Sequence, residues 1–265
     1  MKRIEAVFRK LKKRGEKALI PFITCGDPDL PTTKALALTI AAKGADLLEL
    51  GIPFSDPLAD GPTIQAAGNR ALQQGVHLKE VLELAGELRR ETEIPLILMG
   101  YYNPVLQYGL ERAARDAAQL GVDGFIIPDL PIEEAGPWRK AAMAEGLAPI
   151  FLAAPTSGAE RIRRAGRLSR GFLYYVSVTG ITEARTELPP ELAAALKEVR
   201  SLVKCPLAVG FGISTPEQVK WLAPYVDGVV VGSAIVQLVA KLTGEELLRE
   251  VGDFIARLKG PLRAE

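Results

Sequence analysis

The sequence predicts an α/β fold in which eight parallel strands alternate with helices and close into a (β/α)8 TIM barrel. Eight short apolar runs recur along the 265-residue chain, and amphipathic segments with helical spacing separate them. Strands that are apolar on both faces are typical of a parallel sheet covered by helices. An open, doubly wound sheet is the alternative, but no GxGxxG motif follows the first strand to support it.

The elements follow one another in a regular rhythm. Strand-like runs, short and mostly apolar, lie at 18–24, 46–50, 95–100, 124–128, 148–153, 172–178, 206–210 and 228–231. Apolar residues recur at helical spacing in the segments between them, which are 31–43, 75–90, 110–120, 132–145, 158–168, 189–203, 216–222 and, after the last strand, 245–258. Ahead of the first strand, Ile4, Val7, Phe8 and Leu11 show the same spacing. We therefore expect an extra N-terminal helix that covers the bottom of the barrel.

Composition is that of an ordinary globular protein with a sizeable core. Hydrophobic residues make up 48% of the chain and charged residues 25%. The chain is long for one domain, but α/β barrels reach this length, so residues 1–265 are predicted to form a single domain. Lys and Arg number 33 against 32 Asp and Glu, so no net field favours nucleic acid or an anionic membrane as a partner.

The two cysteines predict a reducing environment. Cys25 and Cys205 lie in or beside predicted strands and are far apart in the sequence. Such residues are more typical of buried thiols than of a disulfide framework. A cytoplasmic location follows as an expectation.

A carboxylate in the second predicted strand is the strongest sign of chemistry. Side chains alternate along a strand, so Leu47 and Glu49 face one way while Leu48 and Leu50 face the other. Burying Glu49 among leucines costs several kcal/mol unless the group is paired or protonated. A raised pKa suits general acid–base catalysis. The alternative is a structural Glu satisfied by a nearby Arg or backbone amide.

Two aspartates follow in the next loop. Asp60 lies eleven residues after Glu49, in a loop that can fold over the barrel mouth, where barrel enzymes carry their active sites. Asp56 lies between them. Turn formation and capping are the ordinary roles of Asp beside Pro and Gly, and this is the preferred interpretation for Asp56.

Glycines after the last two strands indicate a phosphate site. Gly210 and Gly212 follow the seventh strand, and Gly232 and Ser233 follow the eighth. Barrels often bind phosphate on backbone amides at these two strand ends. A tight turn is the alternative for each glycine alone.

Other chemistries lack their residues. No Lys lies near the carboxyl end of a predicted strand, which argues against a Schiff-base aldolase. The only histidine, His77, lies in a turn between helical segments, so a His-ligated metal site is not expected.

Several motifs carry a resemblance along nearly the whole chain. They are LLELGIPFSDPLADGP from residue 47, PFITCGDP from residue 21, PDLP at 128–131, SVTGIT at 177–182, VGFGIS at 209–214 and VVGSAIV at 230–236. In these the sequence resembles the tryptophan synthase alpha chains. The resemblance implies retro-aldol cleavage of indole-3-glycerol phosphate to indole and glyceraldehyde 3-phosphate. It also implies an alpha-beta-beta-alpha complex, with pyridoxal phosphate in the beta chain and no cofactor in this one.

The resemblance implies particular roles. Glu49 is the acid–base, Asp60 accepts the indole N–H, and Thr182 belongs to a loop that closes on the aspartate. Residues at strand ends are expected to line an aromatic slot: Phe22, Met99, Tyr101, Ile126, Tyr174 and Phe211. Two positions depart from the family. Met99 replaces a leucine of some relatives, and Glu183 replaces a glycine that helps to hold phosphate, so Glu183 is not counted as a ligand.

The loop after the second strand is also a candidate partner surface. The segment 51–93 is the longest connection, and its prolines predict a stiff, exposed start. Apolar side chains on such a loop either fold back on the core or meet a partner. The resemblance favours the beta chain as partner of Pro53, Phe54, Asp56, Pro57 and Leu58. A sugar-phosphate isomerase and a purely regulatory subunit remain as alternative functions.

Overall fold

The computed structural model describes residues 2–176, 190–210 and 212–264. The described strands are β1 (Ala18–Thr24), β2 (Leu48–Gly51), β3 (Leu96–Met99), β4 (Gly124–Ile126), β5 (Ala148–Ile150), β6 (Leu152–Ala153), β7 (Leu173–Val176), β8 (Leu207–Gly210) and β9 (Gly228–Val231). All of their pairings are parallel.

The sheet closes into a barrel. Its strand order is β5-β4-β3-β2-β1-β9-β8-β7-β6, so its two ends are β5 and β6. Only Phe151 separates these two strands along the chain. They are therefore two pieces of the fifth predicted strand, one paired with β4 and the other with β7. The predicted eight-unit barrel is confirmed, with its fifth strand interrupted once.

Twelve α-helices are described. They are α1 (Lys2–Arg14), α2 (Leu30–Ala42), α3 (Pro62–Gln73), α4 (Leu78–Arg89), α5 (Tyr102–Tyr108), α6 (Leu110–Gln119), α7 (Gly136–Ala144), α8 (Ala159–Leu168), α9 (Pro190–Leu202), α10 (Pro216–Leu222), α11 (Ser233–Val239) and α12 (Gly244–Lys259), with a final 3-10 turn at Gly260–Leu262.

Three helices lie where the sequence predicted none. They are α3, α5 and α11, and each lies between the carboxyl end of a strand and the next predicted helix. α3 begins at Pro62 and fills part of the connection that was interpreted as a loop. Proline is well tolerated in the first turn of a helix, so the proline-rich start of this connection concealed a helix.

Two apolar layers follow from the alternation of side chains. The barrel interior holds one face of each strand, for example Leu47, Ile97 and Ile126. The opposite face, including Leu48 and Leu50, packs against the surrounding helices. The strands are thus buried on both sides, as parallel sheets are.

Helix α1 closes the amino-terminal end of the barrel, as predicted. Ile4, Phe8 and Leu11 are buried in the interior cluster. The Phe8 and Phe172 rings have centroids 5.7 Å apart. With this end plugged, the carboxyl ends of the strands form the open mouth.

A buried ion pair fixes the carboxyl-terminal helix to the same end. Lys259 Nζ lies 2.7 Å from Asp46 Oδ2 and donates to the Lys17 carbonyl at 2.9 Å. The Leu19 amide donates to the same Asp46 oxygen at 2.8 Å. Asp46 is therefore fully engaged in structure, although it lies only three residues from Glu49.

Within the described ranges no helix is long and apolar enough to span a membrane. Cys25 is buried and Cys205 is half-buried, and both are free thiols.

Candidate active site

Glu49 lies inside the barrel, on the face that its strand alternation predicts. Its register partners are Phe22 on β1 and Ile97 on β3, and its side chain is fully buried. Neither carboxylate oxygen has a hydrogen-bond partner among the residues described. Burial in this apolar interior raises the pKa of Glu49 to about 8. No residue that the structure describes satisfies Glu49 in the way that the structural alternative requires.

Asp60 lies in the loop over the mouth. Desolvation raises its pKa to about 6, while a hydrogen bond from Tyr101 opposes that rise. The Tyr101 hydroxyl also accepts the Ala59 amide N–H at 3.0 Å. Gln65 Nε2 donates to the Asp60 carbonyl at 2.8 Å. These bonds hold both the backbone and the carboxyl group of Asp60 in place.

One pocket at the mouth gathers several of the predicted residues. Phe22, Asp60, Met99 and Tyr101 all line it. The rest of its wall comes from the β2–α3 loop, α3 and the ends of β1, β3 and β4, namely Thr24, Gly51, Ile52, Pro53, Phe54, Pro57, Ile64, Gly68, Gly100 and Pro128. The wall is mostly apolar and aromatic, as expected for a slot that holds a flat ring.

Two other predicted residues lie deeper. Ile126 and Tyr174 are buried in the barrel interior. Burial raises the pKa of Tyr174 well above its usual value, and the nearby charges of Glu49 and Asp60 raise it further. Tyr174 thus shares its surroundings with both carboxyl groups.

Two glycines leave room for aromatic rings of the neighbouring strand. A Cβ at Gly51 would lie 2.5 Å from Phe22 Cζ, and one at Gly210 would collide with the Tyr174 hydroxyl. A methyl group at either position would push its ring out of place. Both glycines are therefore required by close approach.

The predicted phosphate residues lie at the ends of β8 and β9. Gly212 is exposed and has a φ of +75°, a backbone conformation that favours glycine. Gly232 immediately precedes α11, and Ser233 begins it with an exposed side chain. Thr182, Glu183 and Phe211 lie outside the described residues. The roles expected for them therefore stay predictions.

The predicted partner loop divides into two parts. Pro53, Phe54 and Pro57 turn back to line the pocket, and the Phe54 ring stacks on Tyr101 with centroids 5.2 Å apart. Asp56 is exposed, and Leu58 is 94% exposed. Folding back accounts for Phe54, whereas Leu58 has no packing of its own.

Several pocket residues were not found from the sequence. Thr24, Ile64, Gly68 and Pro128 line the pocket together with Asp60. Only Thr24 carried a signal, because it follows Phe22 by two residues and so shares its face of the strand. Ile64 and Gly68 belong to α3, which was not predicted.

An ion pair holds α3 against the β1–α2 connection. Arg70 Nε lies 2.7 Å from Asp27 Oδ1, and a second Arg70 nitrogen donates to Asp27 Oδ2 at 2.8 Å. Asp27 is 3% exposed. This bidentate contact fixes the helix that supplies Ile64 and Gly68 to the pocket.

No group of three or more His, Cys, Asp or Glu side chains in the described part of the chain is suited to hold a metal ion.

One carboxyl group inside a plugged barrel and a second at its mouth, with pKa values raised to about 8 and about 6, place this chain among the TIM-barrel enzymes that use acid–base chemistry. The family model of the tryptophan synthase alpha chain matches residues 8–258. The chain belongs to the tryptophan synthase alpha chain family.

The chain matches known tryptophan synthase alpha chains over nearly the whole length of both proteins. The alpha chain of Citrifermentans bemidjiense is 53% identical over 259 residues, covering 98% of this chain and 97% of that one. The alpha chain of Geotalea uraniireducens is 53% identical over 264 residues, covering 100% of this chain and 99% of that one. The solved alpha subunit of Legionella pneumophila str. Paris superposes with a TM-score of 0.90 at 39% identity, covering 98% of each chain. The solved tryptophan synthase of Mycobacterium tuberculosis superposes with a TM-score of 0.90 at 35% identity, covering 99% of this chain and 98% of that one.

The family defines the reaction. Tryptophan synthase alpha chains cleave indole-3-glycerol phosphate, so this chain is a carbon–carbon lyase of tryptophan biosynthesis. The comparisons do not support the sugar-phosphate isomerase alternative.

Proposed function

We propose that Glu49 carries out both proton transfers of the retro-aldol cleavage. The raised pKa keeps the buried Glu49 protonated at neutral pH, ready to donate to C3 of the indole. The resulting carboxylate then takes the proton of the glycerol hydroxyl as the carbon–carbon bond breaks and the aldehyde forms. One proton enters and one leaves, so Glu49 returns to its starting state.

Asp60 is the proposed electrostatic partner. Protonation of C3 places a positive charge on the indole nitrogen, and an ionised Asp60 that accepts the N–H stabilises this charge. Its position on the pocket wall, fixed by Tyr101, supports the role. The single observation that carries the proposal is a buried Glu49 with no described hydrogen-bond partner, whose register partner Phe22 lines the same apolar pocket as Asp60.

The other residues bind the substrate. We assign the indole to Phe22, Met99 and Tyr101, with Ile126 and Tyr174 beneath them, and the phosphate to Gly212, Gly232 and Ser233. Phe211 and Thr182 keep their roles from the family resemblance. The phosphate residues are at the strand ends where barrels commonly bind this group.

The proposal includes a partner. Indole passes to a beta chain that carries pyridoxal phosphate, in an alpha-beta-beta-alpha complex, and this single-domain chain needs no cofactor or metal of its own. The setting is the cytoplasm. Membership of the tryptophan synthase alpha chain family supports the proposed partner.

The test of the function is indole release. Purified chain should release indole from indole-3-glycerol phosphate, and faster when the beta chain is present. A chain that releases no indole under either condition would overturn the proposal.

The pH dependence of kcat/KM should be bell-shaped, with its maximum between about 6 and 8. Asp60 must be ionised to accept the N–H, so activity falls below its pKa of about 6. Glu49 must be protonated to donate, so activity falls above its pKa of about 8. Steady-state assays from pH 5 to about 9 measure both limbs. A profile that rises continuously through pH 8 would show that Glu49 works from its ionised form instead.

Leu58→Asp is expected to weaken association with the beta chain. The Leu58 side chain is 94% exposed, and a charge placed in an apolar interface costs affinity. Titration calorimetry should show a loss of roughly tenfold or more. Unchanged turnover of the isolated alpha chain is the control, because Leu58 does not line the pocket. Equal affinity for parent and variant would remove Leu58 from the interface.

A further inference from the structure

Thr24 carries a buried hydroxyl that the proposed mechanism does not use. Among side-chain polar atoms that are fully buried in the described ranges, three lack a hydrogen-bond partner: Thr24 Oγ1 and the two Glu49 oxygens. Buried polar groups without a hydrogen-bond partner are uncommon, because each one costs about 1–3 kcal/mol of stability. The proposed catalytic role explains why Glu49 has no partner. It does not explain why the Thr24 hydroxyl has none.

The surroundings of Thr24 are otherwise well satisfied. The nearby Thr33 hydroxyl accepts the Gly26 amide at 3.0 Å and donates to the Asp29 carbonyl at 2.8 Å. Asp27 is paired with Arg70. The unpaired state is therefore particular to Thr24.

Thr24 lies on the pocket wall with Asp60. It is the last residue of β1, two positions after Phe22, and its side chain is 5% exposed. Gly68 of α3 borders the same pocket, and a Cβ there would meet no atom within 4 Å. The missing side chain leaves open space on the pocket wall that Thr24 and Asp60 also line.

The two side chains are chemically complementary. A hydroxyl is a donor, and an ionised carboxylate has about four acceptor sites, of which the Tyr101 hydrogen bond uses one. We propose that, when substrate fills the pocket, the Thr24 hydroxyl donates to the Asp60 carboxylate. Thr24 is then a positioning residue that holds one Asp60 oxygen and leaves the other for the indole N–H. This inference rests on the role proposed above for Asp60.

The matched variants are Thr24→Val, which keeps the shape and removes the hydroxyl, and Thr24→Ser, which keeps the hydroxyl. The probe is indole-3-propanol phosphate. It has the indole and the phosphate but lacks the glycerol hydroxyl that must lose a proton, so its carbon–carbon bond is not cleaved. Calorimetry should show about tenfold weaker binding to Thr24→Val, since hydrogen bonds to charged groups are among the stronger ones. Thr24→Ser should recover most of the affinity.

The pH profile and the melting temperature separate positioning from structure. Loss of a donor to an ionised carboxylate raises the pKa of Asp60 in the enzyme–substrate complex, so the acidic limb of kcat for Thr24→Val should move up by about one pH unit. Its melting temperature should equal or exceed that of the parent, because an unsatisfied hydroxyl has been removed. A lower melting temperature with an unmoved acidic limb would mean that Thr24 is only structural.

A double-mutant cycle with Asp60→Asn completes the test. If Thr24 acts through Asp60, Thr24→Val should cause no further loss of probe binding once Asp60 is Asn. Additive losses would overturn the inference while leaving the role of Asp60 intact. If Asp60→Asn itself has no effect on binding or turnover, the proposed function of Asp60 fails instead.

Discussion

Glu49→Gln should remove at least several hundredfold of turnover while the protein stays folded. Gln has the same shape and burial but no transferable proton, and both proposed proton transfers pass through Glu49. The other fully buried carboxyl groups among the described residues, Asp27 and Asp123, are held in ion pairs with arginines, so neither is available to take over. Indole release under saturating substrate measures the loss. Turnover within about tenfold of the parent would contradict the role.

The same variant should change how stability depends on pH. The pKa of Glu49 is raised from 4.5 to about 8 on folding, so between these values the folded state holds a proton that the unfolded state has lost. The free energy of unfolding contributed by Glu49 therefore decreases as pH rises from about 4.5 to 8. Glu49→Gln removes this dependence.

Urea unfolding at several pH values checks that sign. Parent and Glu49→Gln should have nearly equal stability at about pH 3, well below the ordinary Glu pKa of 4.5, since both side chains are then neutral in both states. The variant should become the more stable of the two as pH approaches 8, by several kcal/mol for a fully buried group. A constant difference between the two proteins across this range would mean that Glu49 is ionised in the folded state.

Asp60→Asn should lower kcat by roughly a hundredfold or more and change substrate affinity much less. The carboxylate is proposed to meet a charge that exists only after C3 is protonated, so its contribution belongs to the transition state. Asn keeps the size of Asp60 and can still accept the N–H through its carbonyl. Steady-state kinetics separates kcat from KM.

Asp56→Asn is the matched control. It makes the same change in charge, in the same loop, at an exposed position. We expect its kcat to stay within about twofold of the parent. Equal losses in the two variants would show that the loop responds to charge in general, and a large fall in melting temperature for Asp60→Asn would mark Asp60 as structural.

Much of the fold follows from local patterns. Eight apolar runs and the helices between them are read from spacing, because the strands of a parallel barrel are buried on both faces and its helices on one. The helices α3, α5 and α11 were missed since they begin with Pro62, after Tyr101 and after Gly232, at loop-like sequences near the barrel mouth. Their helical state depends on packing against the barrel, which local propensity does not contain.

By itself the sequence determined the barrel, the facing of Glu49 and the loop that carries Asp60, because alternation and strand ends are local properties. Only the tertiary structure decided that burial raises the pKa of Glu49 to about 8, that no described group pairs with it, and that Tyr101 holds Asp60. It alone brought Thr24 and Gly68 to the pocket wall that Asp60 and Tyr101 also line. The physical reason is that desolvation and hydrogen bonding depend on groups distant in the chain, which meet only when the barrel closes.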